Sequence, residues 1–200
     1  MPIKRQQYII PIVVVGIGLL FIVWVYLIPP PKPGPPGIEQ AFNPKGDFTL
    51  TEENGKIFHL KDCRGKVVLL FFGYTSCPNA CPMTLAKLGQ TFTLLGSARV
   101  NVLTVFVTVD PLRDTPAKLK EYLGYFDANA LGLTGTKAQI DAVVSAYHAF
   151  YQKVPTKSAM GYLINHTVSV YLIDRQGKVR YLFHQADTPE KMAGIIKDYL

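Results

Sequence analysis

The sequence is poor in cysteine, poor in charge and free of repeats. Its 200 residues include 3 cysteines, and charged residues make up 18% of them. Three cysteines are too few for a small domain held together by disulfides. The absence of any repeat period excludes collagen-like and coiled-coil architectures. A hydrophobic content of 48% is instead typical of a chain that folds around a core.

Clusters of basic residues are missing as well. The chain has 21 Lys and Arg against 14 Asp and Glu, a formal net charge of +7. The basic residues are scattered singly along the sequence, whereas a nucleic-acid-binding protein usually concentrates them on one face. We therefore predict a solvated basic surface and no nucleic-acid partner. Docking to an acidic partner or to anionic lipid is the alternative.

The longest stretch without charge lies near the N-terminus, at residues 6–31. Residues 8–28 within it would span about 31 Å as a helix, which matches a hydrocarbon core of about 30 Å. Because basic residues precede this run and only Lys32 follows it closely, we predict that residues 1–7 are cytoplasmic. The run exceeds a signal-peptide core and no A-x-A site follows it, which favours an uncleaved anchor over a cleaved signal peptide.

The anchor indicates a compartment for the rest of the chain. No Arg- and Ser-rich presequence precedes it, so we expect a bacterial inner membrane and a periplasmic C-terminal domain. Residues 29–37 read PPPKPGPPG, which favours polyproline II and predicts a semi-rigid stalk over residues 29–40. Residues 41–200 then have room for one globular domain.

The domain alternates predicted strands and helices. The run Lys66–Phe72 is continuously apolar, as in a strand buried on both faces. Thr115-Pro116 and Thr136 provide helix starts. We predict strands at about 48–50, 56–60, 66–72, 100–109, 167–173 and 178–183, and helices at about 82–95, 116–126, 137–150 and 189–200. A βαβ unit followed by a hairpin and a helix predicts an α/β, thioredoxin-like fold with an added N-terminal β-hairpin.

Two cysteines lie where a predicted strand runs into a helix. Cys77 and Cys81 are four residues apart directly after the KVVLLFFGYTS segment. On a helical turn this spacing places both sulfurs on one face, and a helix N-terminus favours thiolate. Such a pair can form a disulfide or bind a soft metal such as copper or zinc. Two buried structural cysteines are the alternative.

A third ligand would have to be a distant histidine. His166 stands in a predicted loop that enters the penultimate strand, and in a thioredoxin-like sheet that strand adjoins the one leading to Cys77. We therefore expect His166 at the cysteine edge. His59 falls in the predicted hairpin, His148 within a predicted helix and His184 at the end of a strand, so none of these is favoured as a ligand.

Four segments in series carry a resemblance to a known family. KVVLLFFGYTSCPNACPMTL, VTVDPLRDTPAKLKEYL, LTGT and GYLINHTVSVYLID occur in this order between about Phe48 and the C-terminus. Together they resemble the Sco/SenC family of copper-binding, thioredoxin-fold factors for cytochrome c oxidase assembly. A short N-terminal anchor also suits that family.

The resemblance implies a copper site and a partner. It places the family's ligands for Cu(I) or Cu(II) on Cys77, Cys81 and His166, and it implies an oxidase subunit with a binuclear copper site as the partner. The family usually has Asp before the ligand histidine, whereas this chain has Asn165, so tuning of the site can differ. Cys63 lies outside the motifs; we expect a packed residue, with a thiol that competes for copper or disulfide as the alternative.

The DPLRDTP segment is the other polar motif at this edge. We expect Arg113 to pair with Asp110 or Asp114 in a structural role rather than to face the site, and the loop itself to lie on the same edge as Cys77. Use of the loop in partner docking is the alternative.

Two functions agree with these residues. The first is a metallochaperone that delivers copper to the oxidase, with a second periplasmic copper chaperone or a thioredoxin-like reductant as a further partner. The second is a thiol–disulfide oxidoreductase that reduces the cysteines of the oxidase copper site, with Cys77 and Cys81 as its redox pair.

Dedicated oxidoreductases use C-x-x-C and a proline before the facing strand. This chain has three residues between its cysteines and no proline between Pro155 and Pro189, which favours a metal site. Peroxide reduction is disfavoured because the proline and Thr-x-x-Cys pattern that it requires is absent.

Overall fold

The computed structural model describes residues 47–157 and 161–200. The predicted cytoplasmic segment 1–7, anchor 8–28 and stalk 29–40 lie outside these residues. Across the two described ranges, no helix combines the length and the apolarity needed to cross a membrane.

Nine strands are present in the described residues. They are β1 (Thr49–Glu52), β2 (Ile57–His59), β3 (Val67–Gly73), β4 (Val102–Thr108), β5 (Ala130–Thr134), β6 (Tyr151–Pro155), β7 (Tyr162–His166), β8 (Val170–Ile173) and β9 (Val179–Phe183). Seven form one sheet in the order β2-β1-β5-β4-β3-β8-β9, and β6 and β7 form a separate antiparallel pair. In the large sheet, strands β5, β4, β3, β8 and β9, together with the final helix, have the thioredoxin arrangement. The predicted hairpin of β1 and β2 extends this sheet at the β5 edge.

The described residues contain four α-helices, three of which begin directly after a threonine. They are α1 (Ala80–Leu95), α2 (Pro116–Gly124), α3 (Lys137–Ala146) and α4 (Pro189–Lys197). The hydroxyls of Thr115, Thr136 and Thr188 each accept a hydrogen bond from a backbone N–H in the first turn of their helix. Thr136 also forms a capping box with Gln139, and both hydrogen bonds of the box are present.

The centre of the sheet determines where a site can form. Residues 67–72 of β3 are at most 1% exposed, which explains their continuous apolar run, because both sheet faces are covered there. β3, β4 and β5 run parallel, while β8 pairs antiparallel with β3. The carboxyl ends of three strands and the beginning of β8 therefore meet at one edge, where open α/β sheets bind their ligands.

Several predicted boundaries are wrong, and three strands were not predicted. β5 is short, and β6 is largely exposed, so neither gives a clear alternating pattern. α3 ends at Ala146 instead of 150, and His148 lies beyond it with φ 48°, so the prediction of His148 inside a helix is wrong. A 3-10 helix, Gly96–Asn101, occupies the first residues of the strand predicted at 100–109. The strand predicted from 167 begins at Val170.

Candidate metal centre

The two cysteines lie where β3 turns into α1, as predicted. Cys77 is in the connecting turn, and Cys81 is the second residue of α1. The backbone N–H of Cys77 donates to the carbonyl of Tyr74 at 3.2 Å and closes the turn. The N–H of Cys81 donates to Sγ of Cys77 at 3.4 Å. Neither cysteine is in a disulfide, so the helix N-terminus presents two free sulfurs.

His166 approaches these sulfurs from the β6–β7 hairpin. It is the last residue of β7, paired with Tyr151 of β6, so the predicted loop is a strand. Its Nε2 lies 3.5 Å from Sγ of Cys81 and 4.0 Å from Sγ of Cys77. Among the described residues, these three form the single group of His, Cys, Asp and Glu whose ligand atoms all lie within 4.8 Å of one another.

The spacing of the three atoms suits one metal ion. A metal about 2.3 Å from each sulfur and about 2.0 Å from the nitrogen holds neighbouring ligand atoms roughly 3.5–4.0 Å apart in trigonal or tetrahedral geometry. For a sulfur and a nitrogen the separation is roughly 3.5–3.7 Å; the Cys81 distance of 3.5 Å falls within it, and the Cys77 distance of 4.0 Å is slightly longer. Two thiolates and one imidazole form a soft to borderline donor set, which copper and zinc prefer over magnesium or calcium.

The orientation of the His166 ring also suits a ligand. Its Nδ1 lies 2.9 Å from the carbonyl oxygen of Thr167. A carbonyl can only accept, so Nδ1 carries the hydrogen and Nε2 is the atom available to a metal. The rings of Tyr74 and Phe71 stand edge-on to the imidazole at centroid distances of 5.7 Å and 6.3 Å, which fixes its plane.

The two thiols are electrostatically unequal. A hydrogen bond from the Cys81 thiol lowers the pKa of Cys77 well below its ordinary value, with further lowering from backbone N–H groups. The same hydrogen bond, together with burial, raises the pKa of Cys81. In the metal-free protein Cys77 is therefore the thiolate and Cys81 the thiol.

Alkylation of the metal-free protein should therefore be selective. We expect iodoacetamide at about pH 6 to label Cys77 first, because its thiolate persists as the pH falls below the ordinary thiol value of 9.0. Cys81 should lag because it is fully buried and protonated. Cys63 should lag because burial raises its pKa. Peptide mass spectrometry over time measures the order, with denatured protein as the control in which the order disappears; equal labelling in the folded protein would contradict this assignment.

Gly73 is essential to the packing behind the cysteines. A Cβ atom at this position would lie 2.9 Å from Sγ of Cys81 and 2.7 Å from Cε2 of Phe106. Both distances are too short for real contacts, so a side chain at the end of β3 would have to displace Cys81 or Phe106. The close approach of the backbone to Cys81 thus depends on glycine.

Replacing Gly73 by alanine should lower the free energy of unfolding by about 1–3 kcal/mol, the usual cost of overpacking a core. It should also weaken metal binding, because Sγ of Cys81 must move. Gly194→Ala is the matched control, since a Cβ there meets nothing within 4 Å and alanine favours the interior of α4. Urea unfolding of both variants measures the difference. Equal stability of the two variants would show that a Cβ at position 73 does not disturb the packing of Cys81.

Asp114 anchors the cysteine turn to β4. Its carboxylate accepts from the backbone N–H and the hydroxyl of Thr75 at 2.9 Å and 2.6 Å, and from the hydroxyl of Thr108 at 2.7 Å. Lys118 lies 3.8 Å from the same carboxylate and donates to Ser76 at 3.3 Å. A carboxylate that is 1% exposed is thereby satisfied, and the turn before Cys77 is held in place.

Arg113 connects the DPLRDTP loop to the hairpin. Its guanidinium pairs with Asp110, as expected, and donates to the carbonyl of Tyr162 at 3.1 Å. It stacks 3.7 Å from the centroid of the Tyr162 ring, whose hydroxyl donates to Asp110 at 2.7 Å. The loop therefore has the predicted structural role and lies at the cysteine edge.

The remaining histidines and Cys63 are elsewhere in the described structure. His59 contacts the hydroxyl of Thr49 through Nδ1 at 2.8 Å, and the exposed His184 follows β9. Cys63 is packed against the core, as predicted. Cys63 precedes β3, whereas Cys77 follows it. At about 3.3 Å per residue, the strand separates the two cysteines by roughly 20 Å. Asn165 is exposed and paired with Gln152 of β6.

Sequence reasoning missed three contributors to this site: Tyr74, Gly73 and Asp114. All three belong to the GYTSC and DPLRDTP segments that carry the family resemblance, which is the signal that could have singled them out.

An open cleft of about 380 Å³ is lined by Cys77 and His166, so the site is reachable from solvent. A second cleft, of about 570 Å³, lies near Arg99 and contains none of the site residues.

A thioredoxin-like sheet with two cysteines and one histidine at its carboxyl edge defines a class of thiol- or metal-handling proteins. Within this class, the sequence pattern of the SCO1/SenC family matches residues 37–200. The chain belongs to the SCO1/SenC family.

Similar proteins and solved structures agree with this assignment. An SCO2-like protein of Rickettsia felis is 36% identical over 203 residues, covering 97% of this chain and 98% of that protein. The copper-bound ScoI of Bradyrhizobium japonicum is 41% identical with a TM-score of 0.73, covering 80% of this chain and 100% of that one. Copper-bound yeast Sco1 is 32% identical with a TM-score of 0.71, covering 79% and 87%.

Proposed function

We propose that the protein is a membrane-anchored copper metallochaperone for the binuclear copper site of cytochrome c oxidase. The observation that carries the proposal is the donor set of Cys77, Cys81 and His166, whose ligand atoms lie within 4.8 Å of one another. Copper is the cargo that two thiolates and an imidazole would hold. Relatives at 41% and 32% identity with bound copper support this choice of metal, and the family resemblance supports the oxidase as client.

The protein's own residues account for uptake and release of the cargo. The Cys77 thiolate is available as the first ligand, and Cys81 must lose its proton when it becomes the second. His166 offers Nε2 because its Nδ1–H is held by Thr167. The site opens into a cleft, so the thiolates of a partner could displace these ligands one at a time.

Copper transfer from the full-length protein tests the function. Protein loaded with Cu(I) is mixed with the metal-free, reduced oxidase subunit, and copper in the separated subunit is measured. We expect stoichiometric transfer from the wild type. Retention of copper by the chaperone, with the subunit still able to take up free copper, would overturn the proposal.

A thiol–disulfide oxidoreductase is the second candidate. The lowered pKa of Cys77 and the adjacent Cys81 thiol support it, since an attacking thiolate and a resolving thiol are what disulfide reduction requires. Incubating the reduced, metal-free protein with the oxidised subunit separates the two functions. Disulfide reduction without copper transfer would favour this candidate.

We further propose that the domain faces the bacterial periplasm, anchored in the inner membrane by residues 8–28. A phosphatase reporter fused after Leu200 should then be active, because that enzyme requires an oxidising compartment to form its disulfides. A cytoplasmic reporter at the same position should be silent. The reverse pattern would overturn the topology.

A further inference from the structure

Tyr74 occupies the space between the cysteine turn and the histidine strand. It directly follows β3, is 1% exposed, and its carbonyl accepts the N–H of Cys77 at 3.2 Å. Its ring stands edge-on to His166, with a centroid distance of 5.7 Å and an interplanar angle of 84°. One residue therefore contacts both halves of the metal centre, the cysteine turn through its backbone carbonyl and His166 through its ring.

The hydroxyl of Tyr74 makes the connection specific. It accepts the backbone N–H of Ile164 at 3.1 Å, in a buried bond between residues 90 positions apart. Ile164 lies in β7, two residues before His166, and is 4% exposed. Through this bond and through its own carbonyl, which accepts the N–H of Cys77, Tyr74 connects the histidine strand to the cysteine turn.

The hairpin depends on such side-chain contacts for its position. β6 and β7 pair only with each other among the described strands and share no ladder with the seven-stranded sheet. Arg113 and Asp110 hold the hairpin at Tyr162, the opposite end of β7 from His166. Tyr74 holds it at Ile164, which is closer to the ligand. Losing this acceptor leaves a buried N–H unsatisfied and removes the hydrogen bond that ties the strand to Tyr74.

We propose that Tyr74 is a positioning residue of the metal centre, whose hydroxyl sets the spacing between the His166 strand and the cysteine pair before metal binds. This role rests on the proposed copper function. It predicts a selective effect, because Cu(II) requires the imidazole in addition to the thiolates, whereas Cu(I) is satisfied by two thiolates. Loss of the hydroxyl should therefore lower the affinity for Cu(II) more than the affinity for Cu(I).

Tyr74→Phe removes only the hydroxyl and retains the ring. In the full-length protein we expect the Cu(II) affinity to fall by about 10-fold or more, the effect of one buried hydrogen bond, with the Cu(I) affinity unchanged within about 3-fold. The Cu(II) absorption spectrum should change, since His166 is misplaced. Tyr171→Phe is the control: Tyr171 is also buried but packs against Phe72, on the opposite sheet face from Phe71 and the imidazole. It should leave both affinities and the spectrum unchanged.

A measurement on the metal-free protein separates this proposal from the copper function. Amide hydrogen exchange at residues 162–166 should be faster in Tyr74→Phe than in the wild type and in Tyr171→Phe. Unchanged exchange there would overturn the positioning role, whether or not the wild type binds copper. Equal losses of Cu(I) and Cu(II) affinity, or a Tyr171→Phe variant with the same selective loss, would overturn it too. Failure of the wild type to bind copper would instead refute the proposed function.

Discussion

Oxidation of Cys77 and Cys81 to a disulfide is expected to abolish copper binding. The thiolate is the form of cysteine that binds metal, and a disulfide offers none. The two sulfurs lie within 4.8 Å of each other, so closing them to about 2.05 Å requires only a local movement. Replacing either cysteine by serine should lower the affinity for both Cu(I) and Cu(II) by more than about 100-fold. Substituting a residue that only supports a ligand typically lowers metal affinity about 10–100-fold, and removing a ligand should cost more.

Competition titrations with Cu(I) and Cu(II) measure this effect. The reduced wild type, the oxidised wild type and the two serine variants are compared under identical conditions. Cys63→Ser is the matched control, since Cys63 lies at the other end of β3 and outside the ligand group, and it should bind as the wild type does. Unchanged affinity of the oxidised protein would show that the cysteines are not the ligands.

The cysteine half of the site could be predicted from local sequence. A continuous apolar run indicates a buried central strand, and its end lies at the sheet edge that binds ligands. Cys77 and Cys81 follow that end within one turn of helix, so no long-range information is needed to bring their sulfurs together. The thioredoxin-like fold was also predictable from local sequence, because capping residues and apolar runs mark most of its helices and strands.

The histidine half could be predicted only in part. The edge at which His166 lies follows from the position of β8 beside β3, but the hairpin that carries it gave no pattern. Residues of β6 are exposed along most of the strand, and a strand without a buried face lacks the alternation that reveals it. The predicted loop at His166 was wrong for this reason.

The supporting contacts could not be predicted from the sequence alone. Asp114 is 39 residues from Thr75, and Tyr74 is 90 residues from Ile164. Each pair meets only after the sheet has formed, and no local periodicity encodes the meeting. The same holds for Gly73, whose lack of a side chain matters because Phe106 from β4 lies against it.

Replacing His166 by alanine is expected to separate the two oxidation states of copper. Thiolate is soft and prefers Cu(I), whereas imidazole contributes more to Cu(II), which favours three or four ligands. The variant should therefore lose Cu(II) affinity by about 100-fold or more, as expected for a direct ligand. Two-coordinate Cu(I) on Cys77 and Cys81 should be largely retained.

Parallel Cu(I) and Cu(II) titrations on the wild type and His166→Ala test this separation. His184→Ala is the matched control, because His184 is exposed and lies outside the ligand group. If His166→Ala kept the Cu(II) affinity and absorption bands of the wild type, the imidazole would have only a packing role against Tyr74 and Phe71. The third ligand would then have to come from His184 or from solution, and the 3.5 Å approach of Nε2 to Cys81 would reflect packing alone.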